Sequence, residues 1–221
     1  MKRKTKIIIA CSTVIKEMSP FLPVNVEYKE MESGLHIHPD NLRAALQKII
    51  DEITINTETI ILGYGLCSMA ALGLKASHST LIIPRVDDCI AMFLGSQKLY
   101  KHQLKKEPGT YFLSKGWIDA GITLTDEFKQ TVERFGKGTA EKIKKRMLQN
   151  YTRLAYIDMG QKDQKCYRES ARQTAEELDL RYEEIEGTTM FIKKMINGPW
   201  GDEFVIAPPG YTVSLEDFKT E

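Results

Sequence analysis

The chain has 221 residues, enough for one large domain or two small lobes with a buried core. Hydrophobic residues make up 42% and charged residues 28%, as in an ordinary globular protein. Lys and Arg number 31 against 30 Asp and Glu, a net charge of +1 that leaves no basic footprint for nucleic acid or acidic lipid. The basic residues 1–6 and the apolar run behind them are too short for a secretion signal or a membrane span. A cytoplasmic protein without membrane contact is therefore expected.

Residues 6–11 (KIIIAC) form a continuous apolar run, the pattern of a strand covered on both faces. A short helix is expected over 13–19, stopped by Pro20 and Pro23. Residues 24–31 alternate through Val24, Val26 and Tyr28 and read as a strand. Pro39 opens a helix whose Leu42, Leu46, Ile49, Ile50 and Ile53 share one face. Residues 59–62 form the next buried strand. It ends in Gly63-Tyr64-Gly65-Leu66-Cys67-Ser68, read as a glycine turn into a short helix. Residues 80–83 form another strand, ending in Pro84-Arg85-Val86-Asp87-Asp88-Cys89, and one helix is expected from Cys89 to about residue 105.

Residues 109–113 read as a strand and Ser114-Lys115-Gly116-Trp117 as a turn. Residues 125–150 are a charged helical stretch interrupted near Gly136 and Gly138. Strands over 154–159, 180–185 and 204–207 then alternate with helices over 164–178 and 188–196. This rhythm predicts an α/β fold: a mostly parallel sheet with helices on both faces. The opening block (6–84) and closing block (153–209) share one element order. That suggests either a single domain over 1–221 or two similar Rossmann-like lobes, 1–118 and 119–221.

In open parallel sheets, ligands bind at the carboxyl ends of the strands. Cys11, Cys67 and Cys89 each follow a buried strand and so share that edge, together with Arg85, Asp87 and Asp88. Three thiolates with Asp87 could hold zinc, iron or an iron–sulfur centre. One thiol could instead act alone: Cys67 and Cys89 both read as helix N-termini, where a thiolate is favoured. In that version Cys67 is the nucleophile, Asp88 an acid or base, and Arg85 the holder of an anionic substrate. Plain packing also accounts for single cysteines, and helix capping for Asp87 or Asp88.

Gly63 and Gly65 would let a cofactor approach the backbone, and Tyr111 and Trp117, with Trp200, could wall a flat ligand. His36 and His38 could form a metal pair or a solvated loop. His78, His102 and Cys166 stand apart. No P-loop, GxGxxG, GxSxG or HExxH motif is present.

Taken together, Cys11, Gly63-Tyr64-Gly65-Leu66-Cys67, Ile83-Pro84-Arg85 through Asp88-Cys89, Gly95-Ser96, Gly109-Thr110-Tyr111 and Gly116-Trp117 resemble the domain of unknown function 1638 family. The resemblance runs from Ile7 to Pro209. Members of that family are often encoded near corrinoid-dependent methyltransferases. The resemblance therefore implies a setting in corrinoid and methyl-group one-carbon metabolism, with a corrinoid met through a partner protein. Three roles are consistent with it: a metal- or cofactor-binding protein, a metal-independent methyltransferase or thiol-dependent transferase, and a non-catalytic partner of a corrinoid protein or methyltransferase.

Overall fold

The structure, a computed structural model, describes residues 5–219 except 25, 33, 36, 37, 54 and 163. The first apolar run forms β1 (Thr5–Cys11). Its Ile7, Ile8, Ile9 and Ala10 are all buried, so the run is continuous because β1 is covered on both faces. The chain enters α1 (Ser12–Met18) without a gap and returns as β2 (Glu27–Met31), parallel to β1. Helix α2 (Pro39–Glu52) starts on Pro39, whose missing N–H costs nothing in the first turn, and buries Leu42, Leu46 and Ile50. Strand β3 (Thr57–Gly63) then pairs with the other side of β1, and β4 (Thr80–Pro84) with β3, both parallel.

The single helix expected after Cys89 is two. Helix α3 (Cys89–Leu94) ends at Gly95, whose φ of 94° only glycine adopts cheaply. Helix α4 (Gln97–Lys106) restarts with the Ser96 hydroxyl accepting from the Leu99 N–H. Strand β5 (Thr110–Ser114) follows, and the expected turn after it is a helix, α5 (Lys115–Ala120). Helices α6 (Leu124–Phe135) and α7 (Lys137–Leu148) break where the sequence suggested, at Gly136. The chain closes with β6 (Arg153–Asp158), α8 (Gln164–Leu178), β7 (Arg181–Glu186), α9 (Met190–Asn197) and β8 (Phe204–Ala207).

The fold is α/β with two sheets, one of five strands in the order β2-β1-β3-β4-β8 and one of three in the order β5-β6-β7. All pairings are parallel except β8, which runs antiparallel to β4. Sheet membership does not divide the chain near residue 118. Strand β5 already belongs to the smaller sheet, and β8 returns to the larger one. The similarity of the two blocks also stops there: the third strand of the closing block leaves its neighbours for the edge beside β4.

Two buried polar clusters organise the second sheet. Arg153 is fully buried in β6, where its guanidinium donates to Glu183 (3.0 Å), Gln103 (3.2 Å) and Thr110 (3.0 and 2.8 Å). Glu17 of α1, also fully buried, accepts from the Ser114 hydroxyl (2.5 Å), the Gly116 N–H (2.5 Å) and Gln161 (2.8 Å). Burial raises the pKa of Glu17. An added Cβ at Gly116 would stand 2.5 Å from the Thr13 carbonyl oxygen. Helix α5 therefore lies tight against α1, and this contact carries Trp117 to the edge of the larger sheet.

Candidate functional site

The connections of β1 set the position of the site. Strand β2 lies on one side of β1 and β3 on the other, so strand order reverses between them. A crevice opens at the carboxyl ends of the strands at such a reversal. Here it is a cavity of about 320 Å3. Cys11 (end of β1), Gly63 (end of β3), Cys67, Asp87, Asp88 and Cys89 line it. Thr13, Tyr64, Ser68, Ile90 and Trp117 complete the wall. The three cysteines thus face one space, although they come from separate strand ends.

Cys89 begins α3 as expected, with the Asp88 carboxylate capping the helix by accepting from the Ile90 N–H at 2.9 Å. The other Asp88 oxygen accepts from the Tyr100 hydroxyl at 2.9 Å, and burial raises this carboxyl's pKa. Asp87 is exposed and clasped by Gln97, which takes its N–H (2.8 Å) and donates to its carboxylate (2.5 Å).

Cys67 departs from expectation. No α-helix follows it; residues 67–73 are turns. Cys67, Ser68 and Met69 have φ of 43°, 55° and 74°, three successive non-glycine residues in the left-handed region. Each costs about 1–2 kcal/mol relative to a right-handed conformation. Strain of this kind persists only where the surroundings enforce it, and it gathers at functional sites. What enforces it here is a backbone seam: Leu66 N–H donates to Val86 O and Cys67 N–H to Asp87 O, both at 2.8 Å. The seam is close because residue 65 is glycine. A Cβ there would stand 2.4 Å from the Val86 carbonyl oxygen.

The expected thiolates are also reversed. Burial pushes the Cys67 thiol up to about 12, with Asp88 and Cys11 adding repulsion. Burial raises Cys89 well above the ordinary thiol range, with Cys11, Asp88 and Cys67 contributing. The desolvation that makes the cavity outweighs the short helix behind Cys89.

Other sequence-based candidates lie elsewhere. Arg85 is not in the lining; its backbone N–H bonds to Glu203 O, and its buried Nε has no hydrogen-bond partner among the described residues. Gly65 serves the seam rather than the wall. Tyr111 accepts from the Leu124 N–H and packs edge-on to Tyr151, inside the smaller sheet's core. Trp200 donates to Met195 O and does not reach the cavity either. Trp117 does line it, braced edge-on by Phe93 with ring centroids 5.6 Å apart. His36 lies outside the described residues, and His78 and His102 are exposed.

Tyr64 is the residue that sequence reasoning missed. It is 4% exposed, and its buried hydroxyl has no hydrogen-bond partner among the described residues. The flanking glycines drew attention as a turn, and nothing in the sequence marked the phenol between them.

No three His, Cys, Asp or Glu side chains among the described residues are grouped closely enough to hold a single ion. Likewise, no helix among them is long and apolar enough to cross a membrane. A family described as protein of unknown function (DUF1638) matches residues 30–196. That span takes in Cys67, Asp88, Cys89 and Trp117, while Cys11 precedes it. No curated protein and no solved structure matches the chain.

Proposed function

For a chain that belongs to the DUF1638 family, whose function is unknown, the chemistry of the cavity carries the reading: we propose that it holds a soft metal centre through Cys11, Cys67 and Cys89. One observation carries this. The wall offers three cysteines and two aspartates but, among the described residues, no Lys, Arg or His. Such a site repels anions and is neutralised by a cation. Thiolate donors select zinc or iron–sulfur chemistry over hard ions. A bound metal also deprotonates coordinating thiols outright, which removes the obstacle that burial sets against the thiolate.

The cysteines line one cavity without meeting at one point. A single zinc ion would need the sulfurs drawn together first. A centre with bulk of its own, an iron–sulfur cluster, can take thiolates that do not converge on one ion. The volume lies at the small end of ligand sites and does not suit a corrinoid macrocycle. A corrinoid, which only the family resemblance suggests, would be met on a partner protein in methyl-group metabolism.

Anaerobic reconstitution with iron and sulfide, followed by elemental analysis, tests the proposal. The expected result is roughly four iron per chain, as for a cubane cluster, lost in Cys67→Ser and Cys89→Ser. One zinc per chain, lost in the same variants, would keep the cysteine site and replace the cluster. A protein that retains neither metal would refute the reading.

A further inference from the structure

Helices α6 and α7 pack on each other and meet at Gly136, with the start of α6 beside the end of α7. Only Ala140 of α7 is buried, whereas α8 buries Ala171, Thr174, Ala175 and Leu178. Helices as short as α7 are marginal in water unless one face is packed. Between the pair runs an apolar groove floored by Leu124 and Phe128 of α6, Ile143, Met147 and Leu148 of α7, and Leu178 of α8. Ile143 and Met147 stand one turn apart and are exposed. Phe135, also exposed, continues the row of Leu124 and Phe128 along α6.

The groove has a cationic border. Helix α7 carries Lys137, Lys142, Lys144, Lys145 and Arg146 against Glu141, a net of +4 that the near-neutral total of the chain conceals. Lys144 is used within the fold: it donates to Glu177 O at 2.7 Å and lies over the Phe128 ring, 4.9 Å from its centroid. Lys137, Lys142, Lys145 and Arg146 have no ion pair or side-chain hydrogen bond among the described residues. Arg146 follows Lys142 and Ile143 by one turn, so unpaired charge borders the exposed apolar stripe.

We propose that this groove takes an acidic amphipathic helix of a partner protein, as the third helix of a bundle. The apolar face of that helix rests on Phe128, Ile143 and Met147, and its carboxylates lie beside Lys142 and Arg146. A twelve-residue helix such as α7 is about 18 Å long, which matches about three turns of the partner. The groove shares no lining residue with the cysteine cavity, so this inference stands apart from the metal reading. Two other occupants match the surface less well. A second copy across a two-fold axis presents the same patch, which sets one strongly cationic α7 near another. An interfacial helix projects its apolar face into lipid, whereas these residues line a groove that also holds Glu127.

Two designed helical peptides serve as probes, with the same leucine face flanked by glutamate in one and by lysine in the other. Binding to the full chain is followed by fluorescence anisotropy. The expected result is that the glutamate peptide binds, more weakly as salt rises, and the lysine peptide does not. Replacing Ile143 and Met147 together by serine should weaken the glutamate peptide by at least about tenfold, as for central apolar contacts of an interface. Lys142→Glu with Arg146→Glu should weaken it as much and transfer the preference to the lysine peptide. All four positions are exposed, so the melting temperature of each variant should stay near that of the parent.

Failure to bind the glutamate peptide, equal affinity for the two peptides, or binding that neither pair of substitutions changes would overturn the inference. A parent protein that sediments as a dimer and becomes a monomer when Ile143 and Met147 are replaced would assign the groove to a second copy and overturn it. Retention on phosphatidylserine vesicles but not phosphatidylcholine vesicles, lost in the same variants, would assign the groove to a lipid surface and overturn it as well. None of these outcomes bears on metal content, which the cysteine variants test separately.

Discussion

Gly65→Ala is the substitution that most directly probes how the site is assembled. The added methyl would lie 2.4 Å from the Val86 carbonyl oxygen and 2.9 Å from its Cγ2. The first of these is backbone, so a side-chain rotation cannot relieve it. The two segments of the seam must separate, and the 2.8 Å bonds from Leu66 to Val86 and from Cys67 to Asp87 lengthen or break. Overpacking of this kind costs about 1–3 kcal/mol, and a weakened hydrogen bond about 1 kcal/mol. Alanine returns about 0.4–1 kcal/mol by restricting the unfolded chain. The net expectation is a loss of about 2–3 kcal/mol in urea unfolding. Bound metal should fall with it, because the seam sets the distance between Cys67 and Cys89. Gly138→Ala is the control: it lies in α7 with nothing within 4 Å of an added Cβ, and it should gain up to about 1 kcal/mol. If Gly65→Ala unfolds at the same urea concentration as the parent, the close approach does not hold the site together.

Arg153→Ala leaves Glu183 and Glu107 facing a buried void, and it should cost about 3–5 kcal/mol in the same assay with metal content unchanged. The Arg153 hydrogen bond, followed by those from Arg181 and Lys106, holds the Glu183 carboxyl down to about 2, against 4.5 ordinarily. A carboxyl lowered on folding stabilises the protein fully above the unfolded value and ceases to do so as pH falls through the folded one. The stability difference between the parent and Glu183→Gln should therefore be constant above about pH 5 and shrink as pH falls from 4.5 toward 2; a difference independent of pH over that window would contradict the assignment. Met69→Gly should stabilise the protein by about 0.5–1 kcal/mol, since relief of its left-handed conformation exceeds the entropy that glycine adds. A clear loss on calorimetry would mean that the turn is not strained.

The larger sheet was legible in the sequence because β1, β3 and β4 are buried on both faces and so read as unbroken apolar runs. Their ends placed Cys11 and Cys89 at the carboxyl edge. Cys67 was misread because Gly63 and Gly65 mimic a glycine turn into a helix, while Cys, Ser and Met give no sign of positive φ. Helix α5 had its signals, the Ser114 cap and Gly121 at φ 64°, but Gly116 within a six-residue helix hid them. Gly116 is there for close packing on α1, a contact between residues about a hundred positions apart. The return of β8 to the first sheet is equally non-local. The Tyr64 hydroxyl is conspicuous only when its surroundings are known, since a lone tyrosine has no pattern in one dimension.

Iron-edge X-ray absorption on the anaerobically reconstituted protein tests the central claim most directly. The account predicts a sulfur shell with an iron–iron vector, both lost when Cys11, Cys67 and Cys89 are replaced together by serine. A shell of oxygen and nitrogen alone, unchanged by that triple substitution, would place the metal on surface carboxylates and contradict it.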